Sequence, residues 1–313
     1  MIRVIIRRLL IAIPTMIVVS TFTFFLAQLV PGSPASYILG TTSTSKQIHQ
    51  LNASLGLDRS LVSQYLSWLG HLAQGNLGTS YITHQSVETT ITQALGPTLS
   101  LAIGSTVVAL LLGLAVGTVA AVRGGRLDGV IQTISNLGMA VPSFWLAALL
   151  VLALAIKVRI FPATGYISPS TSPWQWFVGM VLPITAVAMA SLAQIVLQTR
   201  SSVLDVLSKD FVRTLQAAGV PRRKILFKHV LRNAAIPVTT LAGLTFVYSL
   251  AGVVVVETIF NMPGMGTAMI QSVSNHNLPV LQGAVLYFSL IVVVVTLATD
   301  LMTAWLDPRI RLR

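Results

Sequence analysis

Long runs without a single charge, separated by short charged stretches, set the pattern of this 313-residue chain. Six such runs occur, at 9–30, 95–122, 130–156, 176–199, 233–256 and 277–299. A helix rising about 1.5 Å per residue needs about 20 apolar residues to cross a hydrocarbon core about 30 Å thick, and every run reaches that length. The pattern predicts an all-α polytopic membrane protein with six transmembrane helices in one continuous membrane domain, 1–313. Arg3, Arg7 and Arg8 before the first run resemble the start of a signal peptide. Its 22 uncharged residues, however, exceed the ~7–15 of a cleavable apolar core, and no A-x-A site follows Val30. The first run is therefore read as an uncleaved span.

Between the first two runs, residues 31–94 open on the turn-forming Pro31-Gly32-Ser33-Pro34. Ile48, Leu51 and Leu55 then recur at helical spacing up to Gly56, and Leu61, Tyr65, Trp68, Leu69 and Leu72 repeat it. Two short amphipathic helices are predicted there. Gly113 and Gly117 form a G-x-x-x-G, with Gly104 earlier in the same run, and this spacing lets helix backbones approach closely. Pro142 interrupts the third run and predicts a kink near Val141, because proline lacks an N–H and crowds the preceding turn. Pro142, Ser143, Phe144 and Trp145 are thus candidates for a gate in a translocation path, with a tolerated packing irregularity as the alternative. The Pro- and Ser-rich stretch 157–175 reads as an external connection. After Glu257, the pattern Met262-Pro263-Gly264-Met265-Gly266 predicts a sharp turn and a short returning helix. No internal repeat is evident.

Composition agrees with a membrane location: 54% of residues are hydrophobic and only 9% charged, too few to cover a soluble fold of this size. The net charge of +12 raises the possibility of a polyanion partner, but its distribution favours topology. With the N-terminus inside, Arg3, Arg7, Arg8, Arg123, Arg126, the eight basic residues of 200–232, and Arg309, Arg311 and Arg313 all face the cytoplasm. Only Lys46, Arg59, Lys157 and Arg159 face outward, as the positive-inside rule predicts for an N-in, C-in protein with no nucleic-acid role. The absence of cysteine excludes disulfides and thiolate metal sites.

Several chemistries are missing. No lysine follows a glycine, so no P-loop exists to hold a nucleotide phosphate. The histidines are scattered without metal-binding spacing, and no metal or other cofactor is expected on this chain. Ion-coupled transport needs ionisable groups inside the membrane. The two candidates, Glu257 and Asp300, fall by helix length at the outer and inner interfaces, where water or an arginine can solvate them. What remains is a passive, non-catalytic conduit driven from outside, with an ion-coupled secondary transporter as the weaker alternative.

Residues 200–232 form a charged island between two apolar runs. Leu204, Leu207, Phe211, Val212 and Leu215 give an apolar stripe interrupted by Asp205, Lys209, Asp210 and Arg213. Ala217-Ala218-Gly219 presents small side chains, with Gly219 suited to cap a helix before Pro221. A second basic helix, 222–232, leads to Pro237. On the residues alone two readings stand: a docking surface for a soluble motor, or a basic amphipathic helix lying on anionic lipid.

The run D-F-V-R-T-L-Q-A-A-G-V-P-R-R-K-I-L-F-K-H-V-L-R-N-A-A-I-P-V resembles the coupling loop of binding-protein-dependent ABC importer permeases. More narrowly it is similar to the first-subunit type of the dipeptide/oligopeptide/nickel permease family. R-R-L-L-I-A-I-P-T, L-V-P-G-S-P, L-G-T-S, V-P-S-F-W-L, V-V-V-E-T-I-F-N-M-P-G-M-G and the closing D-P-R-I-R carry the likeness along the whole chain. The resemblance implies a type I importer, MetI-like fold in a bacterial or archaeal cytoplasmic membrane. It further implies a homologous second permease subunit, two ATPase subunits that hold ATP and magnesium, and an extracytoplasmic substrate-binding protein. Asp210, Phe211, Val212, Arg213, Thr214, Leu215, Ala217, Ala218 and Gly219 would form the ATPase-docking element, with Gly219 and Pro237 matching the family's glycine and proline. Arg213, Thr214 and Leu215 replace the superfamily's Glu-Ala-Ala, which removes the contact a glutamate would make. Glu257, Pro263, Gly264 and Gly266 would belong to an external gate or binding-protein platform. Peptides are the implied cargo, with nickel or glutathione as branch alternatives.

Overall fold

The computed structural model describes residues 2–40 and 43–306, with the backbone alone at 2–5 and 7. The D-P-R-I-R motif, Arg309, Arg311 and Arg313 lie outside the described residues, as do the side chains of Arg3 and Arg7. The fold among the described residues is helical, with a lone antiparallel bridge between Thr79 and Ser86. It divides into two compact units, one formed by residues 2–98 and 263–293, the other by 99–262 and 294–306.

The first unit holds α1 (Ile2–Ala27), α2 (Pro34–Leu39), α3 (Ser45–Ser54), α4 (Leu61–Ala73), the start of α5 (Val87–Arg123), α12 (Met265–Ser274) and the first part of α13 (Leu278–Leu306). The predicted pair of amphipathic helices corresponds to α3 and α4. Their starts follow from side-chain caps: Thr44 and Gln47 form a reciprocal capping box, and Ser60 accepts from the Ser63 N–H. The turn expected at 31–34 proves to be the entry of a third helix, α2, because Ser33 caps it and Pro34 occupies its first position. Tyr65 anchors α4 to α1: its hydroxyl lies 2.9 Å from Ser20 Oγ and 2.7 Å from Thr21 Oγ1, and its ring packs against Phe24 and Trp68. Val87, Ile91, Met265, Val280 and Ala284 form a buried core, and a side chain at Gly283 would overlap Val87 and Ile91.

The second unit contains most of α5, then α6 (Gly125–Ala140), α7 (Ser143–Leu150), α8 (Pro173–Leu207), α9 (Asp210–Ala217), α10 (Arg222–Lys224), α11 (Leu231–Ile259) and the end of α13. A π-helical stretch, Val151–Lys157, extends α7, and another, Ile225–Val230, joins α10 to α11. The G-x-x-x-G does bring backbones together: a Cβ on Gly117 would stand 2.5 Å from the Val196 carbonyl oxygen of α8, and one on Gly113 2.5 Å from Ile195.

Among the described residues, five helices are long and apolar enough to cross a membrane: α1, α5, α8, the rod from Arg222 to Ile259, and α13. The third expected span, 130–156, is corrected from a kinked helix to two pieces. Helices α6 and α7 meet at 96°. Val141 (φ −83°, ψ 118°) and Pro142 (φ −64°, ψ 136°) are both extended, because the proline ring drives the preceding residue out of helical space. Helices also outrun their charge-free cores. α5 starts at Val87, α8 runs to Leu207 and α13 to Leu306, since a charge is no obstacle to a helix once the chain leaves lipid.

Candidate functional site

The charged island folds into a bracket at the ends of α8 and α11. Helix α8 continues through Arg200 and Asp205 to Leu207, the chain turns at Ser208-Lys209, and α9 follows. The apolar stripe expected along 204–215 is therefore corrected: it is split between two helices rather than lying on one face. Val212 is fully buried and Leu207 and Leu215 are half-buried, whereas Leu204 and Phe211 (38% exposed) stand outside the core. Val212 inserts into a cluster made of Ala121 from α5, Val203 and Val206 from α8, Ile225 and Val230 from the π-helical stretch, and Ala234 from α11. One side chain thus ties the eight-residue α9 to three long helices.

Asp210 lies in the first turn of α9, where its charge suits the helix dipole. Its contact with Arg213 (3.8 Å) is solvent-exposed and worth little. Thr214, Ala217, Ala218 and Gly219 are exposed. Ala218 is the last capping residue and Gly219 follows it with φ 73°. The Gly219 N–H donates to the Gln216 carbonyl at 3.0 Å and the Val220 N–H to that of Leu215 at 3.1 Å. This is a Schellman stop, and the hydrophobic contact that accompanies it is present because Val220 and Leu215 pack on the same cluster. A Cβ on Gly219 would meet nothing within 4 Å, so conformation rather than space selects glycine. The outward face is left with Phe211 as its one large apolar side chain, beside the polar Asp210, Arg213, Thr214 and Gln216 and the small Ala217 and Ala218.

Pro237 sits inside α11, exposed, and lines a cavity of about 820 Å³. The cavity also draws on Gln198 and Asp205 of α8, Phe211 of α9, and Lys228 and Arg232. Pro237 leaves the Asn233 carbonyl without its usual helical donor, while the Asn233 amide reaches back to the His229 carbonyl at 2.7 Å.

Sequence reasoning missed one contact here. Arg200 Nε and Nη2 grip the two carboxylate oxygens of Asp128, joining α8 to the start of α6, with Nη2–Oδ2 at 2.6 Å. A signal existed: Asp128 is the sole acid between Glu88 and Asp205.

The remaining candidates lie apart. Pro142 forms the α6–α7 corner; Ser143 packs on Gly252 of α11, and Phe144 and Trp145 are exposed. Glu257 is corrected from a solvated interfacial carboxylate to a fully buried one (0% exposed). Its carbonyl accepts the Met262 N–H at 2.8 Å. Gly264 precedes α12 and is buried, as is Gly266; Pro263 is exposed. The Met265 N–H is held by Thr98 Oγ1 at 2.8 Å.

Comparison with known proteins adds a second line of observation. Residues 109–312 match the family model described as binding-protein-dependent transport system inner membrane component, and residues 1–102 match that family's N-terminal component. The chain is 36% identical to a probable peptide ABC transporter permease of Sinorhizobium fredii, over 98% of both chains. It is 37% identical to the glutathione transport system permease GsiC of Escherichia coli, over 99% of both. A solved chain of the MetNI methionine ABC transporter, in an inward-facing form, shares the fold with a TM-score of 0.59 and 14% identity, covering 70% of this chain and 97% of that one.

Proposed function

The chain belongs to the binding-protein-dependent transport system inner membrane components, and we propose that it is the permease subunit of an ATP-driven importer of di- and oligopeptides in the bacterial cytoplasmic membrane. The relatives that match end to end support a peptide permease, and the helical MetI-like fold fits that role. In this reading the α6–α7 pair completes six spans, both termini are cytoplasmic, and 31–94 lies outside. The assembly contains a second permease, two ATPase subunits that bind ATP and magnesium, and a substrate-binding protein. The chain itself moves cargo without catalysing a reaction.

The observation that carries the coupling role is the construction of α9. A free amphipathic helix on lipid would bury its apolar face in the bilayer. Here that face, through Val212, is spent on the protein's own core, and the outward face carries Phe211 among polar and small residues. Such a surface suits insertion of Phe211 into a groove of a soluble partner. Asp210 to Gly219 is the docking element in this reading. Phe211→Asp is expected to abolish peptide uptake and ATPase copurification while the permease pair still assembles. Normal uptake and copurification by this variant would refute the coupling assignment.

A second reading has specific support. The identity to GsiC makes glutathione, itself a γ-linked tripeptide, a competing cargo. Competition between labelled glutathione and a dipeptide for uptake by the assembled transporter separates the two.

A further inference from the structure

Where α6 and α8 run side by side from the Asp128–Arg200 contact, they leave an apolar groove of about 190 Å³ between them. Ile131, Ile134 and Gly138 of α6 form one wall and Met189, Ala193 and Val196 of α8 the other, with Val116 of α5 at one side. Each wall steps by three and four residues, so each is a single helix face. Small side chains open the groove: Gly138 has none, and a Cβ there would stand 3.7 Å from that of Ala193. The one polar residue of the lining, Ser135, is buried. Counted from the ion pair at about 1.5 Å per residue, the groove begins near Ile131 and Val196, about 5 Å along, and ends near Gly138 and Met189, about 15 Å along. That is the depth of one leaflet, half of a hydrocarbon core about 30 Å thick.

The surroundings of the groove suit hydrocarbon rather than water. Beside it α6 exposes Leu127, Val130, Ile134 and Leu137, an unbroken apolar row. Its exposed Thr133 and Asn136 lie well round the helix, about 140–200° from Ile131 at about 100° per residue. On α5, Leu112, Val116 and Val119 continue the apolar surface. At the end by the ion pair the character reverses. Arg123, two turns from Val116 on the same face of α5, and Arg126 in the first turn of α6 are both exposed. Among the described residues neither forms an ion pair, whereas Arg200 is neutralised by Asp128. Gly124 and Gly125, at φ 61° and 62°, make the tight corner that separates the two arginines by only two residues.

We propose that the groove is a site for one anionic phospholipid of the leaflet on the side of the charged island. An acyl chain lies between α6 and α8, and Arg123 and Arg126 bind the headgroup phosphate. Guanidinium groups donate to phosphate oxygens in a planar fork, and basic positions at the mouth of a groove between membrane helices suit such headgroups. So bound, the lipid is a second fastening of α6 to α8 beside the Asp128–Arg200 pair. The inference concerns membrane lipid rather than cargo. It goes beyond the peptide reading and needs only that the long helices cross the bilayer.

The test uses the assembled transporter in phosphatidylcholine nanodiscs carrying a trace of phosphatidylglycerol with a diazirine midway along one acyl chain. Irradiation and peptide mass spectrometry are expected to find the label on α6 and α8 around Ile134 and Met189. Unlabelled phosphatidylglycerol should suppress this labelling at concentrations where phosphatidylethanolamine does not. Replacing both Arg123→Gln and Arg126→Gln should weaken it about tenfold or more, while Arg222→Gln with Arg223→Gln, which removes the same charge from α10, leaves it unchanged. Gly138→Leu fills the groove and should abolish the labelling. Because that substitution also alters packing, the exposed arginines carry the decision. Equal suppression by the two competing lipids would make the occupant ordinary bilayer lipid. Labelling of the isolated chain but not of the assembly would assign the face to the second permease. Labelling undiminished in the Arg123/Arg126 double variant would leave the headgroup without its site. Each of these three results overturns the proposal.

Discussion

Truncating Val212 to alanine tests whether α9 is held to the membrane helices by its buried face. Val212 is fully buried among Val203, Val206, Ile225 and Val230. The substitution removes two methyl groups from that site, a loss of about 1.6 kcal/mol at about 0.8 kcal/mol per buried carbon, before any contribution from an unfilled cavity. Because α9 has only eight residues and is bounded by a turn on either side, the loss falls on local opening rather than on the whole fold. An energy of this size multiplies the open population about 15-fold. Amide hydrogen exchange of 210–220 reads that population directly. Val212→Ala should accelerate exchange there about 15-fold and leave the middle of α8 and α11 unchanged. Phe211→Ala serves as the contrast, since its side chain stands outside the cluster. It should leave exchange within about twofold of the unaltered protein while lowering transport-coupled ATP hydrolysis at least tenfold. Exchange unaffected by Val212→Ala, or equally accelerated by both substitutions, would refute the division of α9 into an anchoring and a presenting face.

Gly219, at φ 73° with open space beside it, should resist alanine for conformational reasons alone. Gly219→Ala is expected to cost about 1–2 kcal/mol and to hasten exchange of the Gly219 and Val220 amides, whereas Gly219→Asn costs less; equal behaviour of the two would contradict a left-handed stop. For Asp128 and Arg200, a double-mutant cycle on thermal unfolding of the detergent-purified protein should show losses that do not add, because the contact is two-pronged. Strictly additive losses from Asp128→Asn and Arg200→Met would show that the pair holds nothing together.

The spans were legible because desolvation imposes a long uncharged run wherever a helix meets lipid. Their ends were not, because helix formation is indifferent to where the lipid stops. Glu88, Arg200 and Asp300 all lie within helices that continue past the uncharged runs. The break at Ser208-Lys209 carries no glycine or proline, so the 204–215 stripe looked continuous. Proline alone proved a poor guide to bending. Pro14, Pro97, Pro183 and Pro237 sit inside continuous helices, yet Pro142 marks a 96° corner. The difference lies in long-range packing: α7 turns away from α6 to lie against α8 and α11, with Ser143 on Gly252. The glycine at 219 was readable because its requirement is local. The anchoring of Val212 was not, since its neighbours come from positions as distant as 121 and 234.

The bracket gives the proposed coupling a mechanical route. Close-packed interiors transmit displacement with little compression, and one cluster joins α9 to the ends of α5, α8 and α11. A partner that pulls on Phe211 therefore moves those helix ends as a unit. Pro237 stands a few residues beyond Ala234 of that cluster, at the edge of the cavity, and the hydrogen bond it removes loosens α11 there. Motion delivered below Pro237 can then widen or narrow that cavity while the packed upper part of α11, with Val253, Val256 and Glu257 buried, stays fixed. Stiffening this point by Pro237→Ala should slow transport without weakening the docking of the ATPase, a separation that distinguishes a hinge from a binding residue.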